Sequence, residues 1–316
     1  ALEKDETNPW VIIGKSEKMR RIFKKMGLVC VSRVNVLLQG ETGTGKELIA
    51  RVIHLNSAFK DEPFVVFDCS AVVGSLLESE LFGHEKGAFT GADTAKKGKI
   101  ELAGKGTLFL DEIAELPLSI QGKLLGFLQR REYTRVGGTE PLQSSCRIVT
   151  ACNTDLASKT RKGEFKEDLY FRLRVFMIEI PPLKERLSDV PLLVEHFLHK
   201  INQELGTNVT KLQDGVIESL MNHEWKGNVR QLENTIVQAM VECRGNVLLK
   251  EDMEKILAAD AALPEQGLAS FSLSTIERDH IIKTLNHLDW NKTKAAGALG
   301  ISLPTLRSKI KKYEIR

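Results

Sequence analysis

The stretch Gly40-Glu41-Thr42-Gly43-Thr44-Gly45-Lys46 leaves this chain few folds to choose from. It follows the apolar run Val34-Asn35-Val36-Leu37-Leu38, and after it Leu48, Ile49, Val52 and Ile53 fall on one face of a helix, so the order is strand, loop, helix. Three glycines let the backbone curl until successive N–H groups point at one phosphate. The helix N-terminus adds partial positive charge, and the Lys46 ammonium reaches the outer phosphates. A glycine-rich loop alone is usually a plain turn; the four-residue spacing, the lysine and the strand–loop–helix context together predict a nucleoside triphosphate site. Glu47 stands where many such loops carry Ser or Thr, so a Mg²⁺ ion must rely on other carboxylates, water and the phosphates themselves.

A second buried strand, Phe64-Val65-Val66-Phe67, ends at Asp68, where doubly wound sheets keep their ligands. A third, Gly106-Thr107-Leu108-Phe109-Leu110, ends in two acids, Asp111 and Glu112. Terminal acids on an apolar run are commonplace. Paired with the phosphate loop they acquire roles: Asp111 for the Mg²⁺ complex, Glu112 to orient or deprotonate an attacking water. A fourth strand, Arg147 to Cys152, stops at Asn153, whose amide suits a γ-phosphate or the water, and a fifth, Val175 to Ile180, stops at Pro181-Pro182. Five buried strands alternating with helical segments read as an α/β parallel sheet. From Leu183 to Ala259 strands are scarce and helical periodicity (Val216, Ile217, Leu220, Met221) predicts a small helical domain, within which Trp225-Lys226-Gly227-Asn228-Val229-Arg230 puts an arginine at a helix start.

Between the second and third strands lies Glu80-Leu81-Phe82-Gly83-His84-Glu85-Lys86-Gly87-Ala88-Phe89-Thr90-Gly91-Ala92. Glycines bracketing an aromatic and a hydroxyl describe a mobile loop presenting Phe89 rather than an element that packs it. His84-Glu85 lacks the second histidine of a zinc helix, and His196 and His199 have no third ligand in view, so none is expected to bind metal.

Charge becomes informative once divided. Leu273 to Arg316 holds nine Lys or Arg against four acids, a balance of +5; the whole chain is +3, leaving about −2 for the rest. Ile276, Ile281, Ile282, Leu285 and Leu288 mark one helix there. Asn291 caps a second through Leu299, Gly300 turns, and Ser302 caps a third with Leu306, Ile310 and Tyr313 inward. Ser308, Lys311 and Lys312 then face outward, flanked by Thr305 and Arg307, as in a helix-turn-helix. A docking module or a solvated basic face is the plainer alternative; the charge favours DNA. Polar residues 1–9 read as a linker remnant, with an upstream domain expected before it. No stretch of about 18 apolar residues and no signal-peptide core are present, so a cytoplasmic protein without membrane insertion is expected. The five scattered cysteines form no CxxC pair, as expected of reduced thiols buried as small apolar residues.

From Val11 to Arg316 the chain resembles the NtrC-like AAA+ activators of sigma-54 RNA polymerase, the bacterial enhancer-binding proteins. The most specific element is Gly87-Ala88-Phe89-Thr90-Gly91-Ala92, the GAFTGA loop; Glu47 after the lysine also looks like the family form. The resemblance implies an AAA+ ATPase subdomain over 10–182, a helical lid over 183–260, a linker over 261–272 and a Fis-type helix-turn-helix over 273–316. It implies a ring, hexameric, with ATP between subunits; Asp111 and Glu112 as Walker B acids; Asn153 as sensor I; Arg230 as sensor II; and Ile13 in the nucleotide set. The 87–92 loop would contact sigma-54, Ser302, Thr305, Arg307, Ser308 and Lys311 would meet enhancer DNA, and any upstream domain would receive the signal, as in two-component systems. Where the family usually has two arginine-finger arginines, this chain has Lys166 and Arg172, so the trans finger is assigned to Arg172. Asp68 replaces the asparagine common at the switch position, and Leu303-Pro304 replace polar residues. A DNA-binding repressor that uses ATP only for assembly, or another AAA+ remodeller such as a helicase loader, has no need of the 87–92 loop.

Overall fold

The computed structural model describes residues 10–71, 74–243, 245–261, 281, 284–285, 290–299 and 302–312. Residues 1–9 and 262–280, Ile282, Leu288, Gly300, Tyr313 and the side chains of Lys311 and Lys312, all assigned roles above from sequence, lie outside the described residues. Ala261, expected to open the linker, still belongs to the helix Lys250–Ala261.

Five parallel strands form the central sheet in the spatial order Phe64–Asp68, Thr107–Asp111, Arg147–Cys152, Val36–Gln39, Phe176–Glu179. The first strand in sequence thus lies between the fourth and fifth, and the loop leaving it opens beside the C-terminal ends of its neighbours. Register aligns Gln39 with Cys152 and Asp68 with Asp111, so the residues just past these ends share one rim.

Both faces of the sheet are covered, which is why the strands read as continuous apolar runs. Alternate residues serve opposite layers. Leu37, Leu108, Leu110 and Ile148 join a core with Leu81, Ile100, Leu124, Phe127, Leu169 and Leu173 from helices on one side. Val36, Leu38, Phe109, Val149, Ala151 and Ile178 pack on the other side against Met19, Ile22 and Met26 of helix Glu17–Cys30 and Ile49 and Ile53 of helix Lys46–Leu55. Each Val, Leu, Ile, Phe or Met side chain among them, fully buried, contributes roughly 1.5–3 kcal/mol.

Several sequence expectations need correction. Val175 is 55% exposed and outside the last strand, which starts at Phe176, because the chain has only just left the helix Glu167–Leu173. The loop expected over 80–92 is shorter: residues 80–82 belong to the helix Ser75–Phe82, and Gly83–His84 pairs antiparallel with Lys96–Lys97, forming a stem. Cys69, Cys146 and Cys152 are buried, but Cys30 and Cys243 are only partly so.

Contacts divide the chain into two units, Ala1–Ile256 and Leu257–Arg316. In the first, the helices Val190–Leu205, Val216–Met221 and Asn228–Glu242 follow the sheet, joined by a two-residue strand pair, Lys211–Leu212 with Val247–Leu248. In the second, Ile281, Leu285, Ala295, Ala296 and Leu306 form a small core. Asn291 caps helix Lys292–Ala298 by accepting from Lys294 N (3.1 Å), and Ser302 Oγ accepts from Thr305 N (3.3 Å) at the start of helix Leu303–Lys312.

Candidate functional site

The phosphate loop is built as its glycines require. Gly43 and Gly45 have φ of +78° and +97°, and a Cβ at Gly43 would lie 2.1 Å from Gly227 O, so both conformation and close approach demand glycine there. Helix Lys46–Leu55 starts on Gly45 with no side-chain cap, which leaves its first amides free for a ligand. Lys46 is buried at 7% exposure and folds back, donating to Gly40 O (2.9 Å) and Glu41 O (3.3 Å). Thr44 Oγ1 donates to Glu41 O (2.7 Å), tightening the same turn. Glu47 points along its own helix to Arg51 (2.7 Å) and not into the loop.

Asp111 and Glu112 arrive on the adjacent rim. The strand stops at Asp111; Glu112 takes φ +47°, rare for a residue with a side chain and costing on the order of 1–3 kcal/mol. Its amide donates to Asp111 Oδ1 (3.0 Å), and its own Oε2 accepts from Asn153 N (3.3 Å). Asn153 Nδ2 in turn donates to Thr42 Oγ1 (3.4 Å), so phosphate loop, acid and asparagine form one chain of contacts. Burial pushes both carboxyls above their ordinary range; the Lys46 charge opposes this in each, and their mutual repulsion adds to it for Glu112. Asp68 adds a further negative charge to both. Its own carboxylate is exposed and accepts from Ser70 N (2.8 Å) and Ser70 Oγ (2.7 Å), holding a turn and not Glu112.

Hard carboxylate oxygens beside a phosphate loop suit Mg²⁺. Such an ion is commonly held by one or two carboxylates with phosphate and water completing its shell.

The other predicted residues come from separate elements. Arg230 is exposed in the first turn of helix Asn228–Glu242, its amide donating to Gly43 O (3.2 Å). Ile13 is half-buried ahead of helix Glu17–Cys30. Arg172, exposed, donates to Leu128 O (3.2 Å), and Lys166 caps the same short helix with its amide on Gln121 Oε1 (2.8 Å). Ser302, Thr305, Arg307 and Ser308 are exposed in the second unit.

In the 87–92 loop Gly87 N donates to Ala92 O (2.8 Å) and Ala92 N to Phe89 O (3.0 Å), with Gly87 and Gly91 at φ +80° and +97°. Thr90 is exposed. Phe89, expected to be presented, instead packs edge-on against the His84 ring (5.1 Å), because His84 is held beneath it between Ser79 Oγ (2.7 Å) and Thr94 O (3.0 Å). At the loop's base Arg135 joins Glu85 (2.9 Å) and Glu101 (2.8 Å).

Sequence reasoning missed three residues that hold the site. Asn228 is fully buried and bridges the loop to Leu183; Arg186 donates to Thr44 O (3.2 Å); and Asp189 accepts from Lys15 N, Ser16 N and Ser16 Oγ. Gly227-Asn228 ahead of a helix was a visible signal. The other two act on partners 142 to 174 positions away, which no local pattern reveals.

Comparison with known proteins agrees with this geometry. Residues 12–179 match the Sigma-54 interaction domain, 184–267 the AAA+ ATPase lid domain, and 272–313 the Bacterial regulatory protein, Fis family. The chain is 44% identical over 299 residues to the Nif-specific regulatory protein of Azotobacter vinelandii, covering 92% of this chain and 56% of that one. It is 40% identical over 313 residues to the regulatory protein AtoC of Escherichia coli, covering 96% and 68%. Crystalline NtrX from Brucella abortus in complex with ADP superposes with a TM-score of 0.73 at 28% identity, covering 98% of this chain and 70% of that one. The chain spans only 56–62% of the length of three nitrogen-fixation regulators it matches. With the sigma-54 interaction domain alone accounting for more than half of it, this chain belongs to the sigma-54-dependent AAA+ transcriptional activators.

Proposed function

We propose that this chain binds ATP with Mg²⁺, hydrolyses it, and uses the cycle to drive open-complex formation by sigma-54 RNA polymerase holoenzyme from enhancer DNA. The observation that carries the reading is the Glu112–Asn153–Thr42 chain of contacts, which ties a candidate water-activating carboxylate to the phosphate loop.

The loop amides and Lys46 would hold the phosphates, trading the lysine's bonds to Gly40 O and Glu41 O for phosphate oxygens. Glu112 would orient and deprotonate the water, and its raised proton affinity suits a base. Asn153 would report the γ-phosphate to Glu112. Asp111 would hold Mg²⁺, which when bound supplies charge neutralisation to the β- and γ-oxygens. Arg172, bound to none of these groups, is suited to serve a neighbouring subunit in a homo-oligomeric, hexameric ring, and Arg230 to sense nucleotide from the lid. Asp68 beside both acids is the candidate switch. Residues 87–92 would touch sigma-54, and the exposed Ser302, Thr305, Arg307 and Ser308, with Lys311, would touch DNA, phosphate contacts positioning and base contacts specifying. The boundaries at 182, 260 and 272 delimit these tasks, and the work is that of a cytoplasmic regulator; no helix of the described residues is long and apolar enough to cross a membrane.

The test is promoter opening by purified sigma-54 holoenzyme on an enhancer template with ATP. Opening that depends on this protein and on hydrolysable ATP is expected; ATP hydrolysis without any opening overturns the activator reading.

A further inference from the structure

The amide of Asn228 is fully buried, and both of its polar atoms reach partners far away in sequence, Nδ2 also lying 3.5 Å from the local Lys226 O. Oδ1 accepts from Leu183 N (2.7 Å); Nδ2 donates to Glu41 Oε2 (3.0 Å) and Thr42 O (3.0 Å). The residue also pays in conformation, with φ +55° at the first position of helix Asn228–Glu242. Asparagine tolerates the left-handed region better than other residues with a side chain, yet glycine would do so without strain. Conformation alone therefore does not call for asparagine here. The donor–acceptor pair does, since only a carboxamide of this length offers an acceptor to one segment and a donor to the other.

Two further contacts lie on the same line. Gly227 O sits against Gly43, where a Cβ would be 2.1 Å away, and Arg230 N donates to Gly43 O (3.2 Å). The first turn of this helix is thus joined to residues 41–43 through one side chain and one backbone bond. Thr42 Oγ1 meets Asn153, so the same tripeptide carries the lid on one flank and the Glu112–Asn153 pair on the other.

We propose that Asn228 is a positioning residue: it locks the lid helix to the phosphate loop, so that the loop amides are pre-arranged for phosphate and Arg230 moves with them as one body. This rests on the nucleotide reading above and adds to it the element that fixes the loop from outside the sheet. Pre-arrangement helps ground state and transition state alike, so its loss appears mainly in nucleotide affinity and KM, with kcat changed far less.

The variant is Asn228→Asp, which keeps the acceptor for Leu183 N and sets a carboxylate against Glu41 Oε2 and Thr42 O. ATP affinity measured on the full chain is expected to fall about tenfold or more. Combining it with Glu41→Gln, which restores a donor opposite the new carboxylate, should recover part of that loss. Asn228→Gly, free of strain, checks that folding is not the cause: it should melt cooperatively and still bind ATP weakly. Amide exchange at Arg230, read on nucleotide-free protein, should quicken in both single variants. ATP affinity of Asn228→Asp within about twofold of the parent overturns the proposal, as does failure of Glu41→Gln to recover any affinity. If the parent itself binds no ATP, the nucleotide reading fails alone, and unchanged exchange at Arg230 in the variants then decides against the lock, while quickened exchange upholds it.

Discussion

Asn153 N donates to Glu112 Oε2 at 3.3 Å, joining the ends of two neighbouring strands. Because the contact uses a backbone amide, it depends on where strand Arg147–Cys152 stops and not on the identity of residue 153. The side chain of Asn153 is left to reach Thr42 Oγ1 (3.4 Å).

Removal of the lysine and of the acid should therefore have different consequences. Lys46→Ala should abolish ATP binding. Glu112→Gln should bind ATP as the parent does and lose hydrolysis by about 10²–10⁴-fold, the usual worth of a positioned base. Equilibrium nucleotide binding and phosphate release on the same preparations separate the two, and unaltered affinity in Lys46→Ala would refute the loop assignment.

Arg172 makes its hydrogen bond to Leu128 O, away from the loop of its own chain. Arg172→Ala should lose hydrolysis by roughly 10³–10⁵-fold as an arginine supplied in trans does. Mixing it with Glu112→Gln should restore part of the rate, since some interfaces then hold one intact acid and one intact arginine. Mixed assemblies that form but stay inactive, followed by light scattering and phosphate release, would sink the trans assignment.

Proton affinity at the rim gives a pH signature. Asp111 and Glu112 bind protons more tightly in the folded chain than in the unfolded one, chiefly because they are partly buried. In nucleotide-free protein they consequently add stability as pH falls through their raised range and detract from it above that range. Asp111→Asn and Glu112→Gln should each raise Tm at neutral pH, with the advantage shrinking toward about pH 4. A Tm gain that is absent at pH 7, or larger at low pH, contradicts this.

The 87–92 loop offers a contrast between neighbours. Thr90 is exposed, so Thr90→Ala should leave Tm and ATPase rate unchanged while abolishing promoter opening. Phe89 packs on His84, so Phe89→Ala should also cost about 1 kcal/mol of stability. Should both variants open promoters normally, the loop is not the coupling element and a repressor becomes the better description.

Deletion of residues 273–316 should leave ATPase activity largely intact and remove enhancer binding, which gel shift would register. Arg307→Ala should weaken binding most on the specific site, whereas Lys311→Ala should weaken all DNA about equally. Enhancer affinity undiminished by the deletion would overturn the assignment.

The sequence by itself determined the sheet, the phosphate loop and the two acids, because each is written locally: apolar runs of strand length, glycines at fixed spacing, carboxylates at a strand's end. It also determined the basic helical tail, through caps at Asn291 and Ser302 and an apolar period around Leu306. What only the tertiary structure decided is how these pieces are fastened. Phe89 looked free because its partner, His84, earns its position from Ser79 and Thr94 and not from its neighbours in the chain. Glu47, standing where many phosphate loops carry a hydroxyl, has its carboxylate held by Arg51. Asn228, Arg186 and Asp189 bond across 45 to 187 positions of sequence, and such bonds exist only once the sheet has brought their ends together. Local patterns encode backbone geometry and burial. The direction in which a buried polar side chain finds its partner is fixed by packing, and packing is a property of the whole fold.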